Sequence, residues 1–204
     1  MEKHDLARAR YFFNKIRSQG YDSRIFLELA QVALRKGDRE SAEKILRDGI
    51  QKMPNSAKLH NDMGAILLMQ GRVAEAISHF ETSYQYDPVN TTALKNLVDA
   101  HISRSQWAKA IGIIEEGLAS FMTNAQRRGL LAKLSVCYYL VNDREASFAV
   151  IDKFARAHPR PKDWAGFGQL ALSLKADPLA RRILDACLIN NNHRLDKCPV
   201  FIQR

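Results

Sequence analysis

Cysteine is scarce in this chain: Cys137, Cys187 and Cys198 are the only three in 204 residues, and no C-x-x-C pair occurs. An odd and widely spaced set resembles neither a disulfide frame nor a zinc knuckle. It fits a reducing compartment, and a cytoplasmic location is expected. Long apolar runs are missing too. The opening MEKHDLARARYFF holds no signal-peptide core, and no later stretch reaches transmembrane length, so no membrane insertion is expected. Loops of the G-x-x-x-x-G-K type, H-E-x-x-H and G-x-S-x-G are absent, and the GFG at 166–168 lies within an apolar-periodic stretch where glycine serves close packing. No catalytic residue and no cofactor is expected. His60, His79 and His101 do not stand at ligand spacing, and His193 between Cys187 and Cys198 lacks a fourth ligand. No metal is expected, and Cys187, on an apolar place, is read as core. Acidic residues are the last shortage: 22 Asp and Glu face 31 Lys and Arg, a net charge of +9. Such a surface favours acidic partners, whether protein, nucleic acid or anionic membrane.

What the chain does have is apolar material, 46% of its residues, which is ample for a core. It also repeats. A thirty-four-residue window opened at Ser23 aligns Phe26, Leu29, Ala30, Ala42, Leu46, Gly49 and Pro54 with His60, Met63, Gly64, Ala76, Phe80, Ser83 and Pro88. A third window from Thr91 continues with Leu94, Leu97, Val98, Ala110, Ile114 and Gly117. After Asn124 the register slips by three residues and resumes at Arg128, and a fifth unit opens at Pro161. Three residues are close to one helical turn, so the fourth unit's first helix is expected to begin a turn early, capped by Asn124.

Inside each unit apolar residues recur three and four apart in two blocks, the spacing of amphipathic helices. The blocks are separated by RKGDRE, MQGRVA, SRSQWA, VNDREA and LKADPL. In these turns Gly37 and Gly71 can take a left-handed dihedral, Asp38 and Asp143 can cap the next helix, and Pro178 suits a first helical turn. Pro54, Pro88 and Pro159 stop the second helix because proline donates no backbone hydrogen bond.

Small residues at place eight (Ala30, Gly64, Ser135, Gly168) and place twenty (Ala42, Ala76, Ala110, Ser147, Ala180) let the two helices of a unit approach closely. Bulk at places four, seven, eleven and twenty-four fills the space between units. This pattern resembles the tetratricopeptide repeat family. The resemblance covers five units, 23–56, 57–90, 91–124, 128–161 and 161–194, with Val98 and a missing proline as departures in the third. It implies an all-α fold, a right-handed α-solenoid of stacked antiparallel helix pairs. Residues 1–22 are expected to form a capping helix or degenerate half repeat, and 195–204 a short tail. A terminal repeat with a bare apolar side is unstable, so that side is expected to meet a partner or further chain.

The resemblance also implies a concave groove lined by the first helices, with partner-binding side chains at set places. In the first unit these are Arg24, Leu27 and Gln31, beside Glu28 and Leu34. In the second they are Lys58, Asn61, Asp62 and Ala65, with Met69 further along. The third supplies Lys95, Asn96 and Asp99. The fourth supplies Lys133, Val136 and Tyr139, and the fifth Lys162 and Gln169. Lysines recur in four successive units, amide side chains can bind an extended backbone, and apolar members can hold anchor residues. The family's carboxylate clamp is broken here, since Leu27 and Gln31 stand where lysine and asparagine are needed. A non-catalytic protein-interaction module is expected, binding a peptide segment or folded partner with acidic and apolar residues. Two alternatives remain: a helical-repeat binder of single-stranded RNA, prompted by the net charge, and a self-assembling scaffold joined through its terminal repeats.

Overall fold

The structure is a computed structural model and describes residues 22–119, 122–156, 159–191 and 198. The helix expected over 1–22 and the tail 195–204 therefore lie outside the described residues, Asp22 and Cys198 excepted. Ten α-helices and no strand occur among the described residues: α1 (Ser23–Arg35), α2 (Arg39–Lys52), α3 (Ala57–Met69), α4 (Val73–Tyr86), α5 (Thr91–Ser103), α6 (Trp107–Leu118), α7 (Asn124–Leu140), α8 (Arg144–Arg156), α9 (Pro161–Ser173) and α10 (Asp177–Asn190). Odd numbers are first helices of a pair and even numbers second helices. The chain divides at Ala100 and His101, inside α5, into two compact units.

The ends of the helices follow from local chemistry. Asp22 caps α1 by accepting from the Arg24 N–H at 2.9 Å, and Asp38 caps α2 by accepting from the Ser41 N–H at 2.9 Å. Asp143 does the same for α8, accepting from the Ala146 N–H at 3.0 Å. The early start of α7 is present, but its cap is Thr123 rather than Asn124. The Thr123 hydroxyl accepts from the Gln126 N–H and Gln126 Oε1 accepts from the Thr123 N–H at 2.9 Å, a reciprocal box that Asn124 cannot form because three residues on from it stands Arg127. Each pair turns through a left-handed residue at the same place: Gly37 (φ 79°) and Gly71 (φ 78°), then Ser105 (φ 55°), Asn142 (φ 66°) and Lys175 (φ 58°).

In the first unit α1 packs on α2 and α3 on α4 as antiparallel hairpins, with α3 also against α1 and α2. Close approach depends on the small places. A Cβ on Gly64 would stand 2.6 Å from the Phe80 ring, and one on Gly49 would stand 2.8 Å from the Phe26 ring. Phe80, Leu46, Leu59, Ala42 and Ala76 are fully buried. In the second unit α7 meets α6, α8 and α9, while α10 meets α8 and α9. There both small places of the fourth pair are serine, and they cross-link α7 to α8. The Ser147 hydroxyl donates to the Ser135 carbonyl at 2.8 Å and the Ser135 hydroxyl to the Ser147 carbonyl at 3.0 Å. Both buried hydroxyls are thereby satisfied.

A nearly buried carboxylate ties the second helix of one pair to the turn of the next. Glu43 on α2 is 12% exposed at its side chain and accepts from Gln70 and Arg72, at 3.0 Å each, and from Arg47 on its own helix. Gln70's donation, with the Arg72 and Arg47 charges, holds the Glu43 carboxyl below the usual glutamate range against the opposing effect of burial. The contribution of a group so lowered is complete above its unfolded-state value and is lost as pH falls through the folded-state value. The wild type is therefore expected to lose stability between neutral and strongly acidic pH more steeply than Glu43→Gln. Urea midpoints measured across that range check it, and parallel curves would contradict it.

One expectation from the cysteines is corrected. Cys187, buried on α10, is disulfide-bonded to Cys198, with Cα atoms 5.8 Å apart, a separation normal for such bonds. Spacing in the sequence is silent on this pairing because an odd, widely spaced set of cysteines does not encode which of them meet in space. Cys187 is buried on a core place as expected, but it is bonded rather than a packed free thiol, and the argument from the cysteines for a reducing compartment falls with that bond. Cys137 stays a buried free thiol, and burial pushes its pKa up to about 12 despite the Lys133 charge nearby. Among the described residues no helix is long and apolar enough to cross a membrane.

Candidate functional site

In the first unit the solvent sides of α1 and α3 leave an open crevice of about 280 Å³. Leu27, Leu34, Ala65 and Met69 form its accessible apolar wall over a floor of buried Ala30, Leu46 and Ile66, and Glu28, Gln31 and Asp62 are its polar members. Met69 is 55% exposed, a large apolar side chain presented to water at the crevice mouth. A second hollow shares Leu34 and Met69 and continues onto Asp38, Arg39 and Glu40. The wall exists because α1 and α3 run side by side, so that places five, nine and twelve of α1 face places six, nine and thirteen of α3.

Asp62 is positioned by a relay of amides. Asn96 on α5 donates to Asn61 Oδ1 at 2.9 Å, and Asn61 donates to Asp62 Oδ1 at 3.1 Å. Burial pushes the Asp62 carboxyl above the usual aspartate range, and the Asn61 donation only partly offsets it. Among the described residues no Lys, Arg or His lies in ion-pair range of Asp62. The structure thus brings together Leu27, Gln31, Asn61, Asp62, Ala65 and Asn96 of the expected face. The basic members stand differently. Arg24 pairs with the cap residue Asp22 at 2.7 Å, Lys95 pairs with Asp99 at 3.7 Å one turn on, and Lys58 is exposed.

In the second unit Lys162 and Gln169 are exposed on α9. Tyr139 is half-buried, with the Arg144 guanidinium 5.8 Å from its ring centroid. Lys133 is half-buried. Val136 is 1% exposed and offers a partner nothing. The reason is the cover on α7: with α6, α8 and α9 packed around it, both Val136 and Ala132 are enclosed.

The histidines also differ from their spacing in sequence. His60 Nε2 donates to the Pro54 carbonyl at 2.9 Å, and its Nδ1 shares a hydrogen bond with His79 Nδ1 at 3.0 Å. Burial and then the neighbouring His60 push the His79 pKa down. The pair joins α3 to α4 inside one hairpin. Among the described residues no cluster of three His, Cys, Asp or Glu could hold a metal.

Residues 67–134 match the family model described as tetratricopeptide repeat. Over that stretch the chain carries tetratricopeptide repeats. Its helix pairs superpose on MamA (residues 41 to end) from Desulfovibrio magneticus RS-1 with a TM-score of 0.61, at 17% identity over 87% of this chain and 99% of that one. They superpose on YrrB, described as a TPR protein with an unusual peptide-binding site, with a TM-score of 0.63, at 13% identity over 92% of this chain and 95% of that one. At these identities the likeness is one of fold. A curated relative, the human protein O-mannosyl-transferase TMTC1, is 40% identical over 57 residues, which is 28% of this chain and 6% of that protein. The chain thus matches only a small part of that relative's length.

Proposed function

We propose that the protein is a non-catalytic interaction module that binds a peptide segment or folded partner on the exposed sides of its first helices. The observation that carries this reading is the crevice between α1 and α3, where an apolar wall ending in exposed Met69 adjoins a carboxylate held in place by two asparagines. Apolar surface with a few convergent polar groups is the general character of recognition sites. A stiff helical wall lowers the ordering cost of binding, so moderate contacts suffice. The peptide-binding site described for YrrB, a protein of this fold, supports peptide recognition as the mode.

Exposed Lys58, Lys162 and Gln169 add places where acidic and amide groups of the partner can bind. An RNA strand fits the crevice poorly, because Glu28 and Asp62 would repel its phosphates. Site-specific photocrosslinking in cells tests the proposal. A photoreactive side chain at Gln31 or Gln169, exposed on first helices, is expected to capture a protein partner. The same group at Lys44 or Arg181, exposed on second helices, is expected to capture little of it. Equal capture from both sets would refute the assignment of the face.

A further inference from the structure

The charge of the crevice is opposite to that of the chain. Among the described residues, the two adjoining hollows are lined by Glu28, Asp38, Glu40 and Asp62 against Arg39, four carboxylates to one guanidinium, in a protein of net charge +9. Arg39 is already engaged, donating to the Met69 carbonyl at 3.3 Å, and Asp38 is engaged as the cap of α2. Among the described residues, Glu28 and Asp62 are the carboxylates that line the α1–α3 crevice. Asp62 is the better defined of the two, because the Asn96–Asn61 relay fixes one of its oxygens and burial deprives it of part of its hydration. A partly desolvated carboxylate with an amide donor on one oxygen and no cation in range among the described residues is incompletely satisfied, and a cationic donor is the group that completes it.

The walls specify the rest of that group. Leu27, Leu34 and Met69 offer apolar surface leading to Asp62, which suits a side chain with an aliphatic stem and a charged head. From this geometry we infer that the α1–α3 crevice is a specificity subsite for one lysine or arginine side chain of the partner peptide, its stem against Leu27, Leu34 and Met69 and its cation on Asp62 with Glu28 at the rim. The inference rests on the peptide-binding reading above and reverses the charge preference that the chain as a whole suggests. A partner matching both is a segment of mixed charge: acidic residues for the exposed lysines, and one basic residue anchored here.

Selection of a displayed library of random linear peptides on the purified full chain, followed by affinity measurement with synthetic copies of the enriched sequences, tests it. Lysine or arginine is expected at one position beside apolar residues in the enriched peptides. Asp62→Asn, which keeps the shape and the Asn61 hydrogen bond, is expected to weaken those peptides roughly tenfold or more, as loss of a hydrogen bond to a charged group does. Replacing the basic residue by norleucine is expected to weaken binding to the wild type by a similar factor and to Asp62→Asn hardly at all. Enriched peptides without a basic position, or basic ones indifferent to Asp62→Asn, overturn the subsite and leave peptide binding standing. Failure to enrich any peptide overturns both. A crevice filled by a second copy of the chain would appear as a dimer that Asp62→Asn dissociates in sedimentation, and that result also overturns the subsite.

Discussion

Trp164→Ala is expected to lower the free energy of unfolding by about 3–5 kcal/mol, the range for removing a fully buried large aromatic. Trp164 on α9 is 0% exposed and meets Phe154 on α8 edge to face, with centroids 4.9 Å apart and planes at 71°. Phe154 in turn lies 4.9 Å from Phe167, so the three rings join the fourth helix pair to the fifth. Alanine would leave a cavity in the middle of that joint, and the surrounding helices could close it only partly. The indole Nε1–H is buried without a hydrogen-bond partner among the described residues. Trp164→Phe is therefore expected to lose much less, since it keeps most of the ring packing and removes an unpaired donor. Chemical denaturation followed by circular dichroism checks both. A Trp164→Ala midpoint equal to the wild type would mean that the ring cluster does not hold the two pairs together.

Gly64→Ala is expected to destabilise by about 1–2 kcal/mol net, even though alanine is the better helix former. The new Cβ would stand 2.6–2.9 Å from three atoms of the Phe80 ring, closer than real Cβ atoms come. Phe80 is itself 0% exposed and has nowhere to swing. Overpacking of this kind costs about 1–3 kcal/mol, against the gain of at most ~1 kcal/mol from helix propensity. The loss is expected to shrink in a Phe80→Leu background, where the clashing ring edge is gone. Gly112→Ala on α6 supplies the opposite sign. A Cβ there would meet nothing within 4 Å, so only the propensity gain of up to ~1 kcal/mol remains. Thermal melts of these variants check the contrast, and two glycines behaving alike would contradict the close-packing role of place eight.

The contrast between these glycines shows why the fold was legible. Helix pairs sharing one interlocking geometry need a small residue wherever a large one inserts, so Gly64, Ala76 and Phe80 recur as a set with their counterparts in other windows. The turns were legible for a similar reason, because Gly37 and Gly71 mark a left-handed place by residue type. Ser105, Asn142 and Lys175 occupy the same place under the demand of the hairpin, with no glycine to announce it. The disulfide, the His60–His79 contact and the Thr123 cap were not legible. Each depends on a through-space approach or a one-residue choice that periodicity does not encode. For the candidate face, helical spacing was enough to put Leu27, Gln31, Asp62 and Ala65 on one surface. It could not tell that Val136 is enclosed by three helices, nor that two asparagines aim the Asp62 carboxylate into an apolar crevice.

The most direct test of first-helix recognition is the ratio of partner captured by a photocrosslinker at Gln31 to that captured at Lys44. Both positions are exposed, and they belong to the two helices of a single pair. Recognition by the first helices requires a ratio well above one, falling when excess of a selected crevice-binding peptide is added. A ratio at or below one, unmoved by the peptide, would place the partner on the opposite side and contradict the account.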